Sequence, residues 1–428
     1  NLDWKEVSQI EVNSPDLPGV IIDSGQRRIY PFGKTFSHLI GYVAPVTEND
    51  KTKERKHNPL FQLPGFKIGK SGVEKRLDYH LRGGAGNSQL EVNAVGRVIR
   101  ELSRQEGRPG DDVVLTIDKL IQNIAVEKLR DEKSAAAVVM KINNGEILAL
   151  ASVPGYDPNA FNIGMSKKEW EEISGDPLAP LINKAVSGLY APGSTFKMVV
   201  AMAALEHGVI TPDTKIHCKG NVELGDHRFH CWKKTGHGPV NLRTAIQQSC
   251  DTYFYEISRR LGINKIAEMG RRFGLGTVTG IDLPNERSGL MPTSAWKKKK
   301  LGVPWQQGET LVAGIGQGFV LTTPLQLAVM IARIVSGREI KPKLIKAFVS
   351  NGVIRELKAP KSKKINISRS YRRIVMSGMD AVSNTPLGTG YRARIQDDEL
   401  DLAGKTGTVQ VKSISKYERD TRVLKNRE

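Results

Sequence analysis

Tyr190-Ala-Pro-Gly-Ser-Thr-Phe-Lys-Met198 is the stretch whose reading decides the fold. Pro192 and Gly193 break the chain, and Ser194 opens a run of good helix formers that closes at Gly208. Positions i and i+3 of a helix share a face, so Ser194 Oγ and Lys197 Nζ can meet in one cleft. A nucleophile and its base need that pairing. A bare S-x-x-K is also common by chance, and by itself it reads more simply as a capping serine with a solvated lysine.

Two later stretches supply what the first lacks, in a fixed order: Ser249-Cys250-Asp251, then Lys405-Thr406-Gly407 followed by Thr408. Together the three resemble the S-x-x-K, S-x-N and K-T-G set of the serine acyl-transferases that bind penicillin. Tyr190 to Lys197, the Ile315-Gly-Gln-Gly318 turn with Thr323-Pro-Leu-Gln326, and Gly404 to Thr408 resemble the transpeptidase domain of class B penicillin-binding proteins. The resemblance implies an α+β or α/β multidomain chain. It would have an antiparallel sheet covered by helices, a helical subdomain, and an N-terminal β-rich pedestal.

A serine hydroxyl is a poor nucleophile until a base takes its proton, and a lysine does so only when its own pKa is lowered. Lys197 is the expected base, and Lys405 the cation expected to disfavour its protonation. Ser249 would relay the proton to the leaving group. The resemblance implies attack by Ser194 on the penultimate D-alanine carbonyl of a peptidoglycan stem peptide. The backbone N–H groups of Ser194 and Thr408 would then hold the oxyanion. It also implies that Lys405, Thr406, Gly407 and Thr408 bind the substrate, anchoring its carboxylate or that of a β-lactam. No cofactor is implied for catalysis.

Asp251 departs from the general motif, which has asparagine there. An ionised carboxylate accepts but cannot donate, so it offers no side-chain N–H to a substrate carbonyl. Aspartate at this place is similar to the cell-elongation subgroup, penicillin-binding protein 2. Asp251-Thr-Tyr-Phe-Tyr255 and Trp232-Lys-Lys-Thr-Gly-His-Gly238 are similar to it too. Such proteins imply further partners: a membrane-embedded wall glycosyltransferase and scaffold proteins of the elongation complex. They also imply a place in the bacterial inner membrane, held by a single-pass anchor, with the catalytic domain in the periplasm.

A length of 428 residues exceeds the usual single-domain range, so two or more domains are expected. The net charge of +19 raises the question of nucleic acid, yet no recognition helix, zinc-finger repeat or aromatic RNA motif accompanies it. Nucleic acid is therefore not an expected partner, and a basic surface near anionic wall polymer accounts for the charge. No run of about 18 apolar residues exists, so the membrane anchor is expected to lie outside this sequence.

Residues 1–110 are expected to be a partial, non-catalytic pedestal, from resemblances at Arg28 to Gly33, His38 to Tyr42, Gly69 to Glu74, and Leu81 to Gly83. Glu74 with Arg28 reads as a structural ion pair. Residues 111–428 are the expected transpeptidase domain, with its C-terminal strands and long helix outside this sequence and weak or no acylation as the expected consequence. In that domain Asp118 caps a helix over 119–130, and 135–142 pairs with 146–151 across Asn143-Asn-Gly145. Leu242 to Leu261 reads as one helix, Ser370 as the N-cap of another, and Leu402 to Val411 as a strand.

Cys218, Cys231 and Cys250 are the only cysteines, and five of the eight histidines lie in or beside the same region. One reading is a Cys218–Cys231 disulfide with Cys250 as a buried thiol. The expected arrangement is instead structural zinc held by Cys218, Cys231, His237 and Cys250, which uses every thiol and places Gly236 and Gly238 around the imidazole. Against the transpeptidase stand a β-lactamase or β-lactam sensor, usually shorter and without the pedestal pieces. A non-catalytic scaffold of the wall-synthesis complex is the other alternative, and intact Ser194, Lys197 and Lys405 speak against it.

Overall fold

The computed structural model describes residues 2–13, 16–17, 20, 27–50, 59–62, 65–84, 86–94, 98–358, 361–397 and 399–409. The chain divides into two units that do not follow sequence order. Asn1–Leu115, Gly155–Leu181 and Ile345–Leu357 form the first; Thr116–Pro154, Ile182–Leu344 and Lys358–Glu428 form the second.

In the first unit β1 (Val43–Pro45) pairs antiparallel with β2 (Lys67–Gly69), and β3 (Asn87–Val92) with β4 (Val98–Gln105). β5 (Asp112–Leu115) pairs with the strand Ile345–Ser350, which also pairs with Val353–Glu356. Tyr30, Leu39, Phe61, Ile68 and Val73 are buried at its centre. Gly41 and Gly72 take positive φ where two segments touch, and a Cβ on Gly41 would stand 2.0 Å from the Ser71 carbonyl oxygen. The expected ion pair is present: buried Glu74 meets Arg28 at 3.0 Å and accepts from Tyr30 Oη at 3.3 Å. Burial pushes the Glu74 carboxyl up, with Arg28 opposing.

In the second unit the Asp118 carboxylate accepts the N–H groups of Leu120 and Ile121, which starts α1 (Lys119–Leu129). The hairpin is β6 (Ala135–Met140) with β7 (Ile147–Val153), and Gln122 of α1 accepts the Leu150 N–H at 2.8 Å, laying the helix on β7. From Lys197 to Leu205, every residue of α2 (Lys197–Glu206) is buried, and a helix apolar on all sides belongs at the centre of a core. After it come β8 (Ile216–Cys218), β9 (Asn221–Leu224), β10 (His227–His230) and β11 (Gly238–Val240), paired as β8 with β11 and β9 with β10.

The expected single helix over 242–261 is two, α3 (Leu242–Gln247) and α4 (Asp251–Leu261). Ser249 between them has φ +52°, which no helix accommodates, and the Cys250 N–H turns back to the Ala245 carbonyl at 2.9 Å. α5 (Ile263–Arg272), α6 (Gln307–Gly314) and α7 (Pro324–Ser336) follow, the last with Pro324 in its first turn and a Thr323–Gln326 capping box. α8 (Arg369–Asn384) is capped by Ser368 rather than Ser370, because the Ser368 hydroxyl accepts the Ser370 N–H.

Residues 402–409, expected within a strand, form no ladder; 410 and 411 lie outside the described residues. Their backbone groups meet the body of α8 and the turn ahead of α2 instead. The Gly404 N–H donates to Met379 of α8, and the Thr408 carbonyl abuts Gly193 ahead of α2.

Candidate active site

Ser194 sits in a 3₁₀ turn, Gly193–Phe196, that runs into α2. Gly193 and Gly316 both have positive φ, the Gly193 N–H donates to Gly316 at 2.9 Å, and a Cβ on Gly316 would stand 2.2 Å from the Gly193 carbonyl oxygen. Only glycine permits that backbone contact, which fixes the turn carrying the hydroxyl.

Lys197 is fully buried, its ammonium 5.5 Å from the Phe254 ring centroid. Its three donors reach Asp251 Oδ1 at 2.7 Å, the Ser249 carbonyl at 2.9 Å and Ser249 Oγ at 3.2 Å. An ammonium has no fourth donor, so the pairing with Ser194 expected on one helix face runs through an intermediary. That intermediary is Ser249, whose hydroxyl donates to Ser194 Oγ at 3.1 Å.

The same Ser249 oxygen accepts from Lys405 Nζ at 2.9 Å, and Lys405 also donates to the carbonyl and hydroxyl of Thr406. With one donor and two lone pairs used, the Ser249 hydroxyl is saturated. Burial, and then the Lys197 charge, lowers the Lys405 pKa to about 7, with Asp251 opposing. Thr406 Oγ1 lies 2.8 Å from Thr389 Oγ1, and Gly407 lies against Thr195. All the expected residues of the three motifs therefore meet in one place, though Ser249 rather than Lys197 stands next to Ser194.

A left-handed serine costs about 1–3 kcal/mol and persists only where its surroundings over-determine it. Trp232 contributes to that: its N–H donates to Asp251 Oδ2 at 2.9 Å and its indole to the Gln248 carbonyl at 3.0 Å. Sequence reading assigned Trp232 no role. Its visible signals are its place beside Cys231 and at the head of the 232–238 stretch, and a contact 16 to 19 residues distant leaves no local pattern.

Cys218, Cys231, His237 and Cys250 converge, with all four ligand atoms within 4.8 Å of one another. His237 Nδ1 lies 3.5 Å from Cys218 Sγ and 3.6 Å from Cys231 Sγ, and all three cysteines are free thiols. The Cys250 hydrogen bond, against burial, pulls the Cys231 thiol well down, while the same contact pushes Cys250 up. Burial opposes the charged form of His237, yet the hydrogen bonds from Cys231 and Cys218 raise it. β8, the loop after β10 and the start of α4 bring this cluster directly beside Ser249 and Asp251.

The family description "Penicillin binding protein transpeptidase domain" matches residues 135–424, and "Penicillin-binding Protein dimerisation domain" matches residues 1–115. The chain is 38% identical over 419 residues to the peptidoglycan D,D-transpeptidase MrdA of Escherichia coli K12, covering 96% of this chain and 65% of that protein. Against the Acinetobacter baumannii MrdA it is 37% identical, covering 98% and 62%. The chain thus spans a little under two thirds of the length of these curated relatives. Among solved structures, penicillin-binding protein PBP2 of Helicobacter pylori in complex with MreC aligns with a TM-score of 0.82 at 32% identity, covering 96% of this chain and 74% of that one. Pseudomonas aeruginosa PBP2 in complex with WCK 5153 aligns at 0.75 and 34%, covering 87% and 77%. With both domain matches in order along it and the three acyl-transfer motifs gathered around Ser249, the chain belongs to the class B penicillin-binding proteins.

Proposed function

We propose that this chain is the periplasmic part of a peptidoglycan D,D-transpeptidase of cell elongation and shape. The hydrogen-bonded set of Ser194, Ser249, Lys197 and Lys405 carries the reading. Ser194 Oγ attacks the penultimate D-alanine carbonyl, its proton passes through Ser249 to the lysine pair, and the terminal D-alanine leaves with a proton on its amine. A stem-peptide amine then displaces Ser194 from the acyl-enzyme, forming the cross-link. The backbone N–H groups of Ser194 and Thr408 hold the oxyanion, a contribution of roughly 3 kcal/mol per donor to the barrier. Lys405, Thr406 and Gly407 anchor the carboxylate, so β-lactams acylate the same serine.

Residues 1–110 serve as the non-catalytic pedestal and 111–428 as the transpeptidase domain. Anchorage by a single-pass segment in the bacterial inner membrane follows from the family. So do a membrane-embedded glycosyltransferase and scaffold proteins as partners, and the MreC complex of the H. pylori relative supports the scaffold. Cys218, Cys231, His237 and Cys250 form a structural zinc site in this reading, since three thiols and one imidazole at these separations suit a tetrahedral ion. Bound zinc would hold the thiolates together and leave no open position for catalysis. The cluster favours zinc over the Cys218–Cys231 disulfide because Cys250 and His237 crowd the same point.

Covalent labelling with a fluorescent penicillin tests the acyl-transfer reading, with mass spectrometry expected to place the adduct on the peptide holding Ser194. Labelling that survives Ser194→Ala would refute it. Rapid release of the adduct would favour a β-lactamase.

A further inference from the structure

Around the N-terminus of α8 two separate stretches build one basic surface. The turn after α7 and the segment before α8 are joined by an antiparallel bridge between Arg338 and Lys364. The Arg338 guanidinium also donates to the Ser362 carbonyl, the Glu339 N–H to Lys363, and the Ile365 N–H to Gly337. The first turn of α8 closes onto them, with Arg372 donating to the Val335 carbonyl at 2.9 Å.

Residues 336–341 and 361–373 hold eight lysines and arginines against one carboxylate, Glu339. Most basic residues on this protein are dispersed, and several find carboxylates, as Arg259 and Arg260 find Glu256. Here Arg338, Lys361, Lys363, Lys364, Arg369 and Arg373 are all exposed, and among the described residues none has a carboxylate partner. A solvated charge run would occupy one stretch; this one is assembled by tertiary contacts from two.

The arrangement also works against local stability. α8 has no acidic residue in its first turn and three arginines among its first five residues, at the end where the helix dipole disfavours cations. Burial, together with the charges of Arg369 and Arg373, pulls Arg372 below the usual arginine range. An anion docked on this face would relieve both repulsions, which supplies a reason for the clustering.

The choice of anion follows from what the surface lacks and where it lies. None of its large apolar side chains is exposed, so it has no wedge for a bilayer and no apolar centre for a stable protein interface. α8 is 16 residues long, about 24 Å, and its far end holds the segment leading to Lys405 through Asn384, whose amide donates to the Leu402 carbonyl. A polyanion lying along α8 would therefore reach the Ser194 cleft.

We infer that this surface is a secondary docking site for uncross-linked peptidoglycan, engaging free carboxylates of stem peptides some 20 Å from the acylation site. This inference rests on the transpeptidase reading and names a second place where the same polymer is held.

Co-sedimentation with purified sacculi tests it, using the native chain and a variant carrying Lys363→Glu, Lys364→Glu, Arg369→Glu and Arg373→Glu. A second variant with glutamine at the same four positions guards against misfolding of the first. Both should lose retention by roughly tenfold or more at low salt, as expected for contacts screened over a Debye length of about 10 Å at 0.1 M. Native retention should fall likewise on sacculi whose carboxylates have been amidated. Equal pelleting of native and variant chains would overturn the inference. So would undiminished binding to amidated sacculi, or a charge-dependent loss seen with anionic lipid vesicles and not with sacculi. Penicillin labelling of the same preparations separates the two readings. Lost retention with labelling equal to that of the native chain is expected; labelling absent from both proteins, and still absent from a chain extended past Glu428, speaks against the acyl-transfer reading alone.

Discussion

Lys197 Nζ lies 2.7 Å from Asp251 Oδ1, in a contact where the lysine is wholly shielded from solvent. Both carboxylate oxygens are used, since Oδ2 accepts the Trp232 N–H. The aspartate that replaces the usual asparagine therefore faces Lys197 and the cysteine-bearing loop rather than offering a donor to substrate.

Removing one partner of a buried pair strands the other charge. Asp251→Ala should destabilise the second unit by about 3 kcal/mol or more, and Asp251→Asn, which keeps the shape, by less. Urea titration followed by tryptophan fluorescence measures both. Equal stability of Asp251→Ala and the native chain would show that the pair does not form.

Ser249 is a left-handed serine whose hydroxyl is the relay in the proposed mechanism, so strain and function can be separated. Ser249→Gly should leave stability unchanged or raise it by about 1 kcal/mol, because glycine takes that φ freely. Penicillin acylation should meanwhile drop on the order of 100-fold through loss of the relay. A stopped-flow acylation rate within a few-fold of native would exclude Ser249 from proton transfer.

Lys405, lowered to about 7 by burial and then by Lys197, differs from an ordinary lysine titrating at about 10.4. Between those values the unfolded chain holds a proton that the folded chain lacks, so stability should rise with pH across that window. Below pH of about 7 both states carry the charge and the cost of burying it is fully present. Denaturation midpoints across the window should show this slope, and Lys405→Met should flatten it. The acylation rate should climb through the same lower pH as a neutral amine becomes available.

Protein purified without chelator should contain about one zinc per chain, lost with Cys250→Ser, as a four-ligand site requires. Chelation should lower both the melting temperature and the acylation rate, since Cys250 adjoins Ser249 and Asp251. Metal-free protein with a Cys218–Cys231 cross-linked peptide would rule the site out.

The sequence alone named the candidates: the residues at 194, 197, 249, 251 and 405 through three ordered motifs that resemble a known set, the four metal-ligand candidates through residue type, and the Asp118 cap and the Asn143 to Gly145 hairpin through local pattern. Caps and turns are short in range, carried by spacing within a few residues. What the tertiary structure decided is who touches whom. A helix over 242–261 had every local preference in its favour, but the bonds from Lys197, Lys405 and Trp232 hold Ser249 out of it. The strand expected at 402–411 had suitable threonines and valine, but a strand exists only with a ladder partner, and residues 402–409 find α8 and the turn ahead of α2 instead. Ser249 rather than Lys197 stands beside Ser194 because an ammonium has three donors and Asp251 claims one of them. That competition involves groups more than 50 residues apart, and no window of the sequence contains it.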